Sequence, residues 1–161
     1  MILKCLGSGS SGNCYLLTDS NGKTLILDCG ISIREIKKGL NYDLRCVAGC
    51  IVTHHHKDHS KSAKDLEEIG IEVYKPYEKC YKVMNFKKAP FLISTVPMHD
   101  KDGKFCHTNT DGSECPCYGF IISHPEMGNL IYVTDTEFVK WRFKNLNHIL
   151  VSCNYQNKFL S

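Results

Sequence analysis

No stretch of this chain stays apolar over the roughly 20 residues that a membrane-crossing helix requires. The N-terminus carries one lysine and then a Gly/Ser-rich turn, which is not the pattern of a secretory leader. An excess of either charge is also missing: 20 Lys and Arg against 17 Asp and Glu leave +3, too little to imply nucleic acid by itself. Tryptophan is nearly absent, with Trp141 alone and expected to serve packing. A membrane protein and a highly basic nucleic-acid protein are thereby set aside. An apolar fraction of 42% and a charged fraction of 23% are ordinary for a globular protein, and 161 residues predict one domain, 1–161. Cysteine is the residue in surplus, at ten. Disulfide scaffolds are usually shorter, so Cys5, Cys14, Cys29, Cys46, Cys50, Cys80 and Cys153 are expected to be mainly small buried apolar residues. A reducing, cytoplasmic setting follows as an expectation.

The densest chemistry lies in Thr53-His54-His55-His56-Lys57-Asp58-His59, after the apolar run Cys46 to Val52 that predicts a buried strand. In an extended or gently turning segment, residues two apart face the same side. His54 and His56 can then share one ion, while Asp58 and His59 in the following turn can hold a second. Imidazole with carboxylate suits zinc, iron or manganese and argues against magnesium or calcium. The alternative is a polar turn with chance histidines or a stray tag, but a tag would sit at a terminus and contain no Asp.

His54-x-His56-x-Asp58-His59 after an apolar strand resembles the signature of the metallo-β-lactamase superfamily, whose members are mostly binuclear metal hydrolases. The resemblance implies an α+β fold, an αββα sandwich, here abbreviated at its C-terminal end. It implies two divalent ions, zinc first and manganese or iron as alternatives. His99, closing the strand Phe91 to Val96, is expected to complete a His54/His56/His99 site, and Asp135 after Asn129 to Thr134 to bridge both ions. Taken singly, Asp135 would serve more often as a helix cap. Asp28 resembles the carboxylate that orients the metal histidines from beneath, with helix capping as its alternative. Gly7-Ser8-Gly9-Ser10-Ser11-Gly12-Asn13 resembles the opening of a phosphodiesterase and exonuclease branch; it lacks the spacing of a P-loop.

Local patterns fill in the chain. Ile2 to Leu6, Cys14 to Thr18, Thr24 to Leu27 and Ile71 to Tyr74 predict strands, with Asn21-Gly22 as a hairpin turn. Ser32 and Glu35 predict a capped helix to Leu40; Ser60 to Ile69 and Pro76 to Met84 predict two more. Ile121 and its neighbours and His148 to Cys153 predict strands, and Phe138 to Leu146 a short helix. Lys75, Lys79, Lys82, Lys87 and Lys88 give a basic surface, read as a solvated face or a nucleic-acid contact. An insert loop at about 100–117 carries Cys106, His107, Cys115 and Cys117, which could close a structural zinc site or lie in a mobile, reduced active-site loop.

The superfamily pattern continues with a helix, a strand and a last His ligand that no residue after Asn154 supplies; Tyr155 stands where relatives show His, and His148 and His124 are poor substitutes. Asp58, His59 and Asp135 would hold the second ion, and an uncovered sheet edge would favour self-association. The expected function is metal-dependent hydrolysis of a phosphodiester, in nucleic acid or a cyclic or other nucleotide, by metal-activated hydroxide, with Asp58 orienting the nucleophile. A β-lactam or thioester substrate ranks lower. The alternative is a weak or inactive metal-binding fold serving as a nucleic-acid or protein interaction module.

Overall fold

The computed structural model describes residues 1–87, 89–136 and 138–152. It is a mixed α+β structure built on two five-stranded sheets. The first runs β1 (Ile2–Gly7), β2 (Cys14–Thr18), β3 (Thr24–Leu27), β4 (Val47–Ile51) and β5 (Val73–Tyr74), in that spatial order. Its first three strands are antiparallel, and β3, β4 and β5 are parallel. The second runs β10 (His148–Val151), β9 (Gly128–Val133), β8 (Tyr118–His124), β7 (Leu92–Pro97) and β6 (Val83–Asn85), antiparallel except for the β9–β10 pair. Asn21-Gly22 turns the β2–β3 hairpin as predicted, with Gly22 at φ 77°, a conformation that costs glycine nothing.

Strand alternation distributes the apolar side chains between layers. Leu17, Leu25, Leu27, Ala48 and Ile51 of the first sheet meet Ile93, Phe120, Ile122, Leu130 and Tyr132 of the second in one buried cluster. Their neighbours Leu16, Ile26, Val47 and Cys50 point the other way, onto Ile36 and Leu66 of helices α1 (Ile33–Gly39) and α3 (Ala63–Glu68). The central parallel strands β3 and β4 are therefore buried on both faces. Each Leu, Ile, Val or Phe among them contributes roughly 1.5–3 kcal/mol through burial. Ser32 caps α1 and exchanges a hydrogen bond with Glu35, the predicted capping box. On the outer face of the second sheet, Ile131, Val133 and Met98 are covered by Phe143 and Leu146, from a segment with no helix among the described residues.

Three predicted helices come out differently. The one over Ser60 to Ile69 divides into α2 (Lys57–Ser60) and α3, because the Ser60 hydroxyl donates back to the His55 and His56 carbonyls. From Pro76 to Met84 there is a turn and then β6: Tyr74 Oη accepts from the Tyr81 backbone N–H and donates to its carbonyl, which holds the chain out of a helical path. Phe138 to Leu146 gives up its helix to tertiary contacts, with Trp141 Nε1 donating to Pro97 O and the Asn145 carbonyl accepting from Asn129. Cys14, Cys29 and Cys50 are fully buried and Cys46 partly, whereas Cys5 and Cys80 are exposed because β1 is an edge strand and Cys80 lies in a surface turn. Cys153, Asn154 and Tyr155 lie outside the described residues. No described helix is long and apolar enough to cross a membrane.

Candidate metal centre

The site forms where β3, β4 and β9 end. Asp28 leaves β3 with a φ of 54° and Asp135 follows β9 with a φ of 45°, left-handed conformations that Asp tolerates better than most residues and that concentrate at functional sites. After β4 the chain passes Thr53, whose backbone N–H donates to Asp28 Oδ1 at 2.8 Å, and turns into α2, with His56 at its N-cap. Backbone bonds from Asn13 N to Asp58 O and from Cys29 N to His59 O, both 2.7 Å, dock α2 on the first sheet. That docking needs Gly30, because a Cβ there would run into the Asp58 carbonyl. A four-residue helix too short to stand alone is thus held by the residues just before β2 and just after β3.

Around this frame the rings converge. The ligand atoms of His54, His56 and His107 lie within 4.8 Å of one another, and so do those of His54, His59 and Asp135. Asp135 Oδ2 is 2.9 Å from His59 Nε2 and 4.0 Å from His54 Nε2, so one carboxylate reaches both groups. Asp58 Oδ2 stands 3.5 Å from His59 Nε2. His56 Nδ1 and His107 Nε2 point at one another at 3.0 Å, and Asn109 Oδ1 meets the other nitrogen of His56. The His54 Nε2 is buried without any hydrogen-bond partner among the described residues. Leaving a buried polar atom unpaired costs about 1–3 kcal/mol, and a cation placed between these nitrogens would remove that cost.

Electrostatics follows from this crowding. Burial first, then the neighbouring His59 and His107, pushes His54 down to about 2, so it is a neutral ligand-ready imidazole. His107 is lowered for the same first reason and then by His56. Burial also opposes charge on His59, but its hydrogen bonds to Asp135 and Asp28 outweigh that and raise it to about 10. A proton there takes the place that a divalent cation would fill. Asp28 Oδ2 also accepts from Tyr132 Oη at 2.6 Å and from His59 Nδ1 at 2.7 Å, so the second sheet helps to orient the first sheet's ligand.

Of the residues singled out in the sequence, His54, His56, Asp58, His59 and Asp135 come together. His99 does not: its Nδ1 faces Lys140 Nζ at 2.8 Å, and its ring lies against Trp141. A backbone bridge between His99 and Phe105 turns the chain back on itself, and the bond from Cys106 N to Met98 O then brings His107 inward instead. His107 has a signal in the sequence as the next His after the strand, but its neighbour Cys106 and the nearby Cys115 and Cys117 point there to a cysteine-rich zinc loop instead. Those do not gather with it: Cys115 Sγ meets His55 Nδ1 at 3.6 Å, and Cys117 donates to Thr134 O. His124 Nε2 stands 3.6 Å from Asp19 Oδ2, and His148 is exposed on β10, so neither joins the centre. Asn13, unassigned in the sequence, places Nδ2 3.1 Å from His59 Nε2 and ties the Gly7–Asn13 loop to the site. Ser8, Gly9, Ser10, Asn13, Asp58 and Asp135 line an open cleft of about 480 Å³.

The sequence model of the family described as Anti-Pycsar protein Apyc1 matches residues 2–89. The chain is 29% identical over 154 residues to exodeoxyribonuclease YycJ of Bacillus anthracis, covering 88% of this chain and 56% of that one. It is 33% identical over 75 residues to the Anti-Pycsar protein Apyc1 of Bacillus phage vB_BsuM-Goe3, covering 43% and 28%. The chain thus spans about half or less of the length of these relatives. Among solved structures it resembles the BLEG-1 B3 metallo-β-lactamase (TM-score 0.56, 16% identity, 86% of this chain and 74% of that one). It also resembles the metallo-β-lactamase fold protein YhfI of Bacillus subtilis (TM-score 0.53, 15% identity, 81% and 60%). The two sheets accordingly have the metallo-β-lactamase fold.

Proposed function

The chain belongs to the Anti-Pycsar protein Apyc1 family, and on that premise we propose that it is a metal-dependent hydrolase of phosphodiesters. The observation that carries the reading is the buried His54 Nε2, without a hydrogen-bond partner among the described residues, inside a ring of imidazoles and carboxylates, a donor set that suits zinc, manganese or iron. His54, His56 and His107 would hold one ion, Asp58 and His59 a second, and Asp135 would reach both. Divalent ions at such a centre supply the acidity that makes hydroxide available from water near neutral pH.

The chain's own residues do the rest. Asp28 accepts a hydrogen bond from His59 Nδ1–H, so that a cation taking the place of the Nε2 proton would meet the Nε2 lone pair. Asp58 faces the cleft and orients the attacking water by accepting its hydrogen. Ser8 and Ser10 offer hydroxyls to the phosphate along the rim. The phosphodiester class is supported by the relative named an exodeoxyribonuclease and by this rim. One observation favours a second reading, a weak or inactive metal-binding module: a second ion would have only Asp58, His59 and Asp135 among the described residues.

Hydrolysis of bis-p-nitrophenyl phosphate with added zinc or manganese separates the two. The hydrolase reading expects turnover that falls roughly 10²–10⁴-fold in Asp58→Ala, the range of a positioned acid–base group. It expects a comparable loss in His56→Ala. Stoichiometric metal with no turnover would establish the second reading instead.

A further inference from the structure

We propose that residues 138–144 are a docking strip for a single-stranded polynucleotide, which it leads to the metal centre; only the choice of phosphodiester as substrate class rests on the hydrolase reading. The strip reads Phe138-Val139-Lys140-Trp141-Arg142-Phe143-Lys144, three cations among four apolar residues, with no Asp or Glu from Phe138 to His148. Phe143 anchors it against Met98, Ile131 and Val133, and Trp141 Nε1 donates to Pro97 O. What remains outward is unusual for a surface: Phe138 is 55% exposed and Trp141 40%, with Arg142 and Lys144 exposed beside them. Lys140 Nζ sits 4.7 Å over the Trp141 ring, so a cation and a flat aromatic face are already paired.

Among the described residues, none of the three cations has a carboxylate within ion-pair distance; Lys140 Nζ is held by His99 Nδ1 and the Asp100 carbonyl, while Arg142 and Lys144 are exposed where phosphates can reach them. The basic stretch from Lys75 differs: Lys75 is paired with Glu67 and Glu78, and Lys79 lies over Tyr81. Position also favours the strip. It begins three residues after Asp135, and Lys140 and Trp141 pack on His99 at the start of the loop that carries His107. Cations spaced along a strip with exposed rings fit a single strand, whose bases are free to stack and whose phosphates follow the charges. A duplex offers no unstacked base to Trp141.

Trp141 is the only tryptophan, so its fluorescence reports contact directly. Zinc-loaded protein would be titrated with a short oligothymidylate whose phosphorothioate linkages resist cleavage. The expected result is saturable quenching, with log affinity falling against log salt at a slope of about −2 for three phosphates. In the R142Q/K144Q variant, where both side chains are exposed and the fold is left alone, the slope should lose about 1.4 and affinity should fall at least about tenfold. Trp141→Ala, followed by anisotropy of a labelled strand, should lose roughly tenfold or more through the missing stack. Hydrolysis of bis-p-nitrophenyl phosphate should stay within about twofold in R142Q/K144Q, since that ester is too small to reach the strip. No quenching, or unchanged affinity in R142Q/K144Q, overturns the proposal while leaving the hydrolase reading to its own assay. Equal affinity for duplex overturns the single-strand assignment. Oligonucleotide binding by a protein without turnover upholds the strip and removes the hydrolase.

Discussion

Replacing Asp28 by Asn tests how far the metal centre depends on a residue that would touch no metal. The carboxylate is fully buried and accepts from four donors: Thr53 N–H at Oδ1, Tyr132 Oη and His59 Nδ1 at Oδ2, and Thr53 Oγ1 at 3.1 Å from both oxygens. An amide of the same size has one oxygen, so whichever way it turns its NH2 faces at least one donor. If the NH2 faces Thr53, the fixed backbone N–H is left unpaired at a cost of about 1–3 kcal/mol. If it faces His59 instead, that ring can escape by moving its proton to Nε2, but Nε2 is then no longer free to ligate. Either branch weakens metal binding, by roughly 10- to 100-fold for a lost orienting partner, or about 1.4–2.7 kcal/mol. Zinc affinity would be read by competition with a chromophoric chelator at fixed pH, and Tm measured with and without the ion. The expected signature is a loss of affinity in that range with a metal-dependent gain in Tm smaller than in the parent. Affinity within about twofold of the parent, in a variant that keeps its Tm, would refute the claim that Asp28 sets the His59 tautomer.

Three further outcomes follow from the same geometry. His107→Ala should remove one ion, read by elemental analysis, and cost most of the phosphodiesterase activity, whereas His99→Ala should keep both; the reverse pattern would return the third imidazole to His99. Gly30→Ala should destabilise by about 1–3 kcal/mol or more, because the new methyl meets the Asp58 backbone rather than a side chain that can move, and denaturant midpoints would show it. The pH dependence of the chelated protein has a worked sign. His54, depressed from 6.5 to about 2, makes stability rise with pH up to about 6.5, because the unfolded chain binds the proton that the native state refuses. His59, raised from 6.5 to about 10, makes stability fall between those values, because the native state keeps a proton that the unfolded chain releases. Tm of the chelated protein should therefore peak near pH 6.5, and zinc should abolish the alkaline decline by displacing the His59 proton; an alkaline limb unchanged by zinc would refute this.

Much of this was legible in the sequence because its signals are local. The hairpin at Asn21-Gly22, the Ser32–Glu35 capping box and the apolar run before His54 each occupy a few adjacent residues, and each appears in the structure as expected. The resemblance sets Asp28 beneath the metal histidines, and there its carboxylate accepts from Thr53, Tyr132 and His59. What was not legible depends on contacts between distant segments. Tyr74 Oη holding Tyr81 undoes a helix that Pro76 begins well, and Phe143 packing on Ile131 and Val133 does the same for residues 138–146. That His107 rather than His99 lies beside His54 and His56 has the same origin. Spacing from the strand end points to His99, and only the backbone bridge to Phe105 shows that the chain doubles back before the next imidazole reaches the site.

The centre also explains why the two sheets need their particular alignment. Thr53 and Asp28 follow the ends of two parallel strands in the first sheet, while Tyr132 comes from β9 in the second and Thr134 directly follows it, and Thr134 Oγ1 donates to Thr53 Oγ1 at 3.1 Å. The apolar cluster between the sheets has no direction of its own, because hydrophobic burial would tolerate a small slide of one sheet over the other. These buried polar bonds do have direction, and an unmet donor in that place costs more than a net hydrogen bond returns. The same bonds that place His59 and Asp135 opposite one another therefore lock the register of the sandwich. In this chain the geometry of a reactive site and the uniqueness of the fold rest on one set of side chains.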